Sequence, residues 1–178
     1  VHTDECLNTL TSFEQKKAIV IPHGATFKIN SHLIDNKNIL FFGRAAAYKG
    51  IDILLDAMKI IWQSDPKVCL RILASPGDYK NQIELDSRII ATWDGYTNDE
   101  LEEELSKSKV VCLPYTTAAG SGVGAQAYGA GKIVVASDLD GLRELVSNRD
   151  YLVPPGDSIK LANALLTALN DEKSVYSI

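Results

Sequence analysis

From Asn38 onward, apolar runs of strand length alternate with stretches of helix length, and that alternation restricts the fold more than any other feature. The runs are ILFF (39–42), VCLRILAS (68–75), SRIIATWDG (87–95), KVVCLPY (109–115) and KIVVASD (132–138). They read as continuous Ile/Val/Leu segments rather than as alternating apolar and polar positions, which a sheet buried on both sides requires. Strands separated by helices form βαβ units with right-handed crossovers. The expected fold is therefore α/β, a Rossmann-like parallel sheet with helices on both faces.

The first unit, NILFFGRAAAYKGIDILLDA (38–57), shows the pattern in full. A strand ends at Gly43, a loop carries Arg44 and Lys49, and Gly50 leads into a helix. Ile51, Leu54, Leu55, Met58 and Ile61 give that helix its core-facing stripe. Further along, TNDELEEELSKSK (97–109) carries a capping box, Thr97 with Glu100 three residues on. Its acidic residues come early and Lys107 and Lys109 late, as the helix dipole favours, so its carboxylates read as a solvated face and not as an acid/base pair. A short helix is expected over Leu142–Ser147. Asp157 then caps a last helix with Leu161, Ala162, Leu165, Leu166 and Leu169 on one side. Before Asn38 a short strand, Ile19 to Ile21, is broken by Pro22-His23-Gly24; residues 22–37 read as a linker, and residues 1–17 have room for a short helix.

Composition narrows the function classes. The 178 residues are 46% hydrophobic and 23% charged, as in globular proteins. A net charge of -5 argues against a non-specific nucleic-acid binder, though not against a local phosphate pocket. No apolar run reaches membrane-spanning length, and no signal-peptide pattern is present, so a cytoplasmic location is expected. Starting at Val1, the chain reads as a fragment of something longer. Cys6, Cys69 and Cys112 lack metal-ligand spacing and read as thiols in a reducing compartment.

Two stretches carry chemistry. Arg44 and Lys49 sit between a strand's carboxyl end and a helix amino terminus, where phosphates dock in open α/β sheets; the alternative is a pair of solvated surface cations. Between the fourth and fifth runs lies TTAAGSGVGAQAYGAGK (116–132). Gly122-Val123-Gly124-Ala125-Gln126-Ala127 fits the G-x-G-x-x-G/A dinucleotide fingerprint, with Asp138 downstream, so an NAD-type site stays open. Against it, the glycines do not follow the strand in a tight turn, Gly129 and Gly131 interrupt the helix early, and the motif sits late in the sheet. In a second reading, Ser121, Gly122 and Val123 open a helix whose free N–H groups face an anion, and Arg44 and Lys49 close on it from the opposite side. In a third, the glycines only permit close helix–sheet packing.

These segments together resemble a known family. FFGRAAAYKGIDILLDA, Asp94-Gly95-Tyr96, VVCLPY, SGVGAQAYGAGKIVVASDLDGLREL and YLVPPGDSIKLANAL are similar, in the same order, to the carboxyl-terminal halves of retaining, nucleotide-sugar-dependent glycosyltransferases (group 1, two-Rossmann-domain or GT-B type). The resemblance implies that residues 1–37 are the tail of an amino-terminal domain and the linker, and residues 38–178 the donor-binding domain, one half of a GT-B architecture. It implies a donor site of Gly43, Arg44, Lys49, Tyr96, Ser121, Gly122, Val123 and Gln126. Arg44 and Lys49 would neutralise the diphosphate, each contact contributing about 1.5–3 kcal/mol. The backbone at Ser121, Gly122 and Val123 would cradle the distal phosphate, and Tyr96 would meet the base or else cap the sheet edge. His23 would face the cleft or form part of a turn.

One departure matters. Many relatives carry two glutamates eight positions apart, where this chain has Ala118 and Gln126; Gln126 could still bond a ribose hydroxyl. No catalytic residue is assigned, and neither a metal nor a cofactor is implied beyond the nucleotide diphosphate sugar donor. The implied partners are that donor, a saccharide or lipid-linked glycan as acceptor, and the amino-terminal domain, with peripheral membrane attachment open for the full-length protein. The implied activity is hexosyl transfer, weak or absent in the fragment alone. The alternatives are a nucleotide-binding module without transfer activity and the NAD-type domain; an epimerase would need acid/base groups that the three histidines, all near the start, do not supply.

Overall fold

In the computed structural model, which describes residues 7–21, 24, 37–79, 86–146 and 148–171, six parallel strands form one sheet. They are β1 (Asn38–Arg44), β2 (Cys69–Ser75), β3 (Ile89–Thr92), β4 (Val110–Leu113), β5 (Ile133–Ser137) and β6 (Leu152–Val153). Their order is β3-β2-β1-β4-β5-β6. The chain thus builds outward from β1 on one side, then returns to lay β4 against β1, Ile39 opposite Val110, and builds outward the other way. The reversal between β1 and β4 is a topological switch point. Crossovers that leave it toward opposite edges open a crevice at the strands' carboxyl ends, where α/β sheets bind ligands.

Helices cover both faces, as the apolar runs require. Named in chain order they are α1 (Ser12–Gln15), α2 (Ile51–Ser64), α3 (Asn98–Lys107), α4 (Gly122–Gly129), α5 (Asp140–Arg143) and α6 (Ser158–Asn170). Ile39, Phe41, Ile72, Val110 and Val135 join a core with the buried residues of α2 and α6. Leu40, Phe42, Leu73, Val111 and Val134 face the other way, into a core with Leu101 and Leu105 of α3, Ala127 of α4 and Leu142 of α5. Successive residues of β1 therefore each bury a side chain, contributing about 1.5–3 kcal/mol apiece on opposite faces of one strand. Edge strand β3 departs from this: Ile90 is 61% exposed.

The helix signals hold. Thr97 Oγ1 accepts from the Glu100 N–H at 3.2 Å while the Glu100 carboxylate accepts from the Thr97 N–H at 2.7 Å, and Asp157 caps α6 through the Lys160 N–H. The Thr97 N–H, and then the Thr97 hydroxyl, donate to the Glu100 carboxylate and hold it below its ordinary range. α1 has the same box, Thr11 with Glu14.

Three expectations change, and one strand, β6, goes beyond those expected from the sequence. Residues 18–21 form no strand, and Ile19 and Ile21 stand exposed; the edges of the sheet among the described residues are β3 and β6. β3 stops at Thr92, so Trp93 to Gly95 already belong to the following loop. The short helix expected from Leu142 begins at Asp140 and ends at Arg143; its Gly141 lies flat against Ala119 and Gly120, where a Cβ would come within 2.4 Å of backbone. β6 is too short to produce a periodic signal in sequence.

Cys6, His2, His32, Pro22 and His23, most of the linker and Ser147 lie outside the described residues. Cys69 is half-buried, and Cys112 is buried in β4, which pushes its thiol far up. Among the described residues no helix is long and apolar enough to cross a membrane, and no cluster of His, Cys, Asp and Glu could hold a metal ion.

Candidate functional site

The expected site residues gather where β1 and β4 end side by side. Gly43, near the end of β1, has a φ of +126°, a conformation that favours glycine, and a Cβ there would lie 3.2 Å from Cγ2 of Val123 in the first turn of α4. The first loop and the glycine-rich stretch are thus in contact. Arg44 follows, exposed and without a carboxylate partner among the described residues.

The loop after Arg44 is held from two sides. On the β2 side, the Ala45 N–H donates to the Ser75 carbonyl at 2.9 Å, the Ala45 carbonyl accepts from Tyr79 N–H at 2.8 Å, and the Ala47 N–H donates to the Asp78 carboxylate at 3.1 Å. On the β4 side, the Thr116 N–H donates to the Tyr48 carbonyl at 2.8 Å, and Gly50 lies so close to Pro114 that a Cβ would sit 2.0 Å from its carbonyl oxygen. Gly50 has a φ of +66° and joins the 3-10 turn Ala47–Lys49 to α2, so a left-handed residue without a side chain is required at this step.

Lys49 differs from expectation. Its side chain does not project from the loop but is buried, 7% exposed, where the pinned turn directs it inward. The Lys49 ammonium donates to the Tyr115 hydroxyl at 2.6 Å and lies 3.9 Å from the centre of the same ring. The Tyr115 hydroxyl is 3.4 Å from Ser121 Oγ, which caps α4 by accepting from the Gly124 N–H at 3.0 Å. No carboxylate among the described residues pairs with the ammonium. Burial, and then the charge of Arg44, draw Lys49 down to about 8, and burial pushes the Tyr115 phenol far up. A buried ammonium with one phenol as its acceptor is poorly compensated, and an incoming anion would supply what it lacks.

Ser121 opens α4 as expected. With the Gly124 N–H capped, the N–H groups of Gly122 and Val123 have no acceptor among the described residues. The glycines divide between two roles. Gly122 is exposed, whereas a Cβ at Gly124 would lie 2.5 Å from Leu145 Cδ1 and 2.9 Å from Leu113 Cδ1, so Gly124 does serve close helix–sheet packing. Residues 114–121 separate β4 from α4, a longer connection than the dinucleotide fingerprint uses.

The remaining candidates are more peripheral. Tyr96 is half-buried against the core beneath α3 and α4, and burial raises its phenol. Gln126 is half-buried one turn into α4. Ala118 packs against the same core, an apolar contact at the position where the family resemblance led to the expectation of a glutamate. Tyr115 was not singled out by sequence reasoning: at the end of VVCLPY it passes for the tail of a strand, although a buried phenol needs a partner and that need was a signal.

Comparison with known proteins identifies the family and the fold. The sequence signature of the family described as Glycosyl transferases group 1 matches residues 36–171. A phosphatidyl-myo-inositol mannosyltransferase of Mycobacterium leprae is 32% identical over 143 residues, 76% of this chain and 38% of that protein. Among solved structures, sucrose-phosphate synthase from Thermosynechococcus elongatus superposes with a TM-score of 0.73 at 22% identity, over 96% of this chain and 48% of its own. The Anabaena protein HepE, solved with UDP-glucose, gives 0.70 at 23% identity, over 88% and 49%. The fold is thus the Rossmann-like fold of GT-B glycosyltransferases. The chain spans between 25% and 46% of the length of the curated relatives it matches. With the family signature covering most of the sequence, the chain belongs to the group 1 glycosyltransferases.

Proposed function

We propose that residues 38–178 form the donor-binding half of a glycosyltransferase, and that residues 1–37 lead in from an amino-terminal domain that completes the cleft. The donor is a nucleoside diphosphate sugar, and its sugar passes with retention to a saccharide or lipid-linked acceptor. One observation carries the reading. Two cations without acidic partners among the described residues, Arg44 and the buried Lys49, converge with two helix N–H groups that have no acceptor among them at the switch point of the sheet, although the chain as a whole is acidic. Such an arrangement suits a diphosphate. The bound UDP-glucose of HepE is a molecule of this class, and the M. leprae relative is by name a mannosyltransferase.

When the anomeric C–O bond breaks, negative charge grows on the departing diphosphate. Arg44, Lys49 and the N–H groups of Gly122 and Val123 are fixed before that charge appears, so they stabilise it without reorganising. Tyr96 borders the base, and Gln126 reaches a ribose hydroxyl. No metal or further cofactor is needed for charge neutralisation by this set. The acceptor and the remainder of the cleft come from the amino-terminal domain, so the 178-residue chain by itself transfers little sugar.

A module that binds nucleotide without transferring sugar is the second reading, and the apolar packing of Ala118 favours it. Turnover of a nucleotide sugar by the full-length protein separates the two. Gly124, spent on packing, and the long 114–121 connection disfavour the dinucleotide domain.

Isothermal titration with UDP, GDP, ADP and NAD tests the donor site. One nucleoside diphosphate binds, and Arg44→Ala weakens it about tenfold to a hundredfold. The protonated Lys49 is the form that pairs with the diphosphate, so affinity falls as pH rises through about 8. Binding of NAD alone, or an Arg44→Ala variant of unchanged affinity, overturns the proposal.

A further inference from the structure

We infer that Tyr115 is the positioning residue of the diphosphate site, its hydroxyl tying the Lys49 ammonium to the N-cap of α4 so that cation and free N–H groups address one anion. The inference rests on the donor-site reading above and goes beyond it, since neither the sequence pattern nor the charges point to this residue.

Tyr115 is 1% exposed, and its backbone follows Pro114, whose carbonyl faces Gly50. The ring is therefore anchored to the same turn that presents Lys49. Lysine has a long flexible stem, and an unheld ammonium would sample many positions. Here it is held by the hydroxyl at 2.6 Å and by the ring face at 3.9 Å. While its oxygen accepts from Lys49, the phenol can donate toward Ser121 Oγ, 3.4 Å away, which accepts from the Gly124 N–H. One side chain thus spans the two halves of the site.

The choice of a phenol has a chemical reason. A carboxylate at this position would hold Lys49 as firmly, but it would neutralise the ammonium and repel a diphosphate. A buried phenol stays uncharged and leaves the positive charge for the ligand. The groups around the pair are consistent with this. Lys49 meets Arg44 from β1, the Tyr48 ring at 5.4 Å and Tyr115; Tyr115 meets Tyr48, Cys112 of β4, Tyr96 beyond β3 and Ser121. None is a carboxylate, and Asp78 of the neighbouring loop is engaged with the Ala47 N–H.

Tyr115→Phe tests the inference, because it keeps the ring and removes only the hydroxyl. Affinity for the nucleoside diphosphate that the wild type binds is measured against pH, and the Lys49 side-chain 13Cε signal is titrated in the ligand-free protein. The variant is expected to bind about threefold to tenfold more weakly, one lost hydrogen bond. Its alkaline decline begins at lower pH, and the 13Cε titration moves the same way. In a Lys49→Met background, Tyr115→Phe has no further effect on affinity; removing both polar partners together also keeps the protein folded should the single variant unfold. An unchanged affinity and pH profile, or the same loss of affinity without Lys49, overturns the inference while Arg44→Ala still supports the donor site. A wild type that binds none of the nucleotides overturns both.

Discussion

The two loops that meet at the switch point are built in opposite ways. The β1 loop, Gly43 to Gly50, is held closely by its neighbours: Ala45 is bonded to Ser75 at the end of β2 and to Tyr79 just beyond it, Gly50 is pressed on Pro114, and the Lys49 side chain is enclosed. The stretch opening α4 is open to solvent, with an exposed Gly122 and two N–H groups left without an acceptor among the described residues. One loop supplies charge and the other supplies backbone. A flexible buried cation would lose orientation, so its loop must be rigid. Backbone N–H groups are oriented by the helix itself and need only an unobstructed approach. The difference teaches that the proposed anion site places its rigidity in one wall and its openness in the other.

The comparison breaks first at Gly50. Alanine there would carry left-handed backbone strain of about 1–2 kcal/mol. Its Cβ would also stand 2.0 Å from the Pro114 carbonyl oxygen, which is backbone and cannot turn aside. Gly50→Ala should cost about 3 kcal/mol or more in total, the largest effect we expect of any single methyl in the site. For a chain of this size that is a fall of roughly 10 °C in Tm by calorimetry. A Tm within two or three degrees of wild type would mean that the β1 loop is not clamped in the way described.

Gly124→Ala is next. Its methyl would meet Leu145 and Leu113, which are flexible side chain ends and can shift, so the cost is that of overpacking, about 1–3 kcal/mol. The same thermal scan reads it, and it should fall between Gly50→Ala and wild type. A larger loss than at Gly50 would reverse the ranking of the two walls.

How much of this was legible in the sequence depended on the kind of signal each residue carries. The sheet was legible because β1, β4 and β5 are buried on both faces, and burial on both faces writes an unbroken apolar run, which β2 follows apart from Arg71. The caps at Thr97 and Asp157 were legible because capping is local, decided within three residues. The run Ile19–Ile21 misled for the converse reason: strand formation is settled by a neighbour, and the sequence does not name one. Arg44, Ser121 and Gly122 could be placed at element ends, which is enough to bring them together. Lys49 could be located but not oriented, since its burial is decided by Pro114 and Tyr115, far along the chain. Tyr115 carried only a general signal, a phenol at the end of a buried run that needs a partner, because only the fold shows which polar group its hydroxyl meets.

The finest test lies within α4, where Gly122 and Gly124 are two residues apart and serve different ends. Gly122 is exposed, at the first position of the helix, with no left-handed φ. Alanine there should leave Tm unchanged or raise it by a degree or two, since alanine is favoured over glycine in a helix by roughly 0.5–1 kcal/mol. Its methyl, however, would stand beside the N–H groups that an anion must approach. We therefore expect Gly122→Ala to weaken nucleoside diphosphate binding severalfold at full stability, measured by titration calorimetry alongside the thermal scan. The pair then separates the roles by opposite signs: stability lost at Gly124, affinity lost at Gly122. If Gly122→Ala binds as wild type, the open wall is not where the phosphates lie, and the charge on the rigid wall would have to hold them alone.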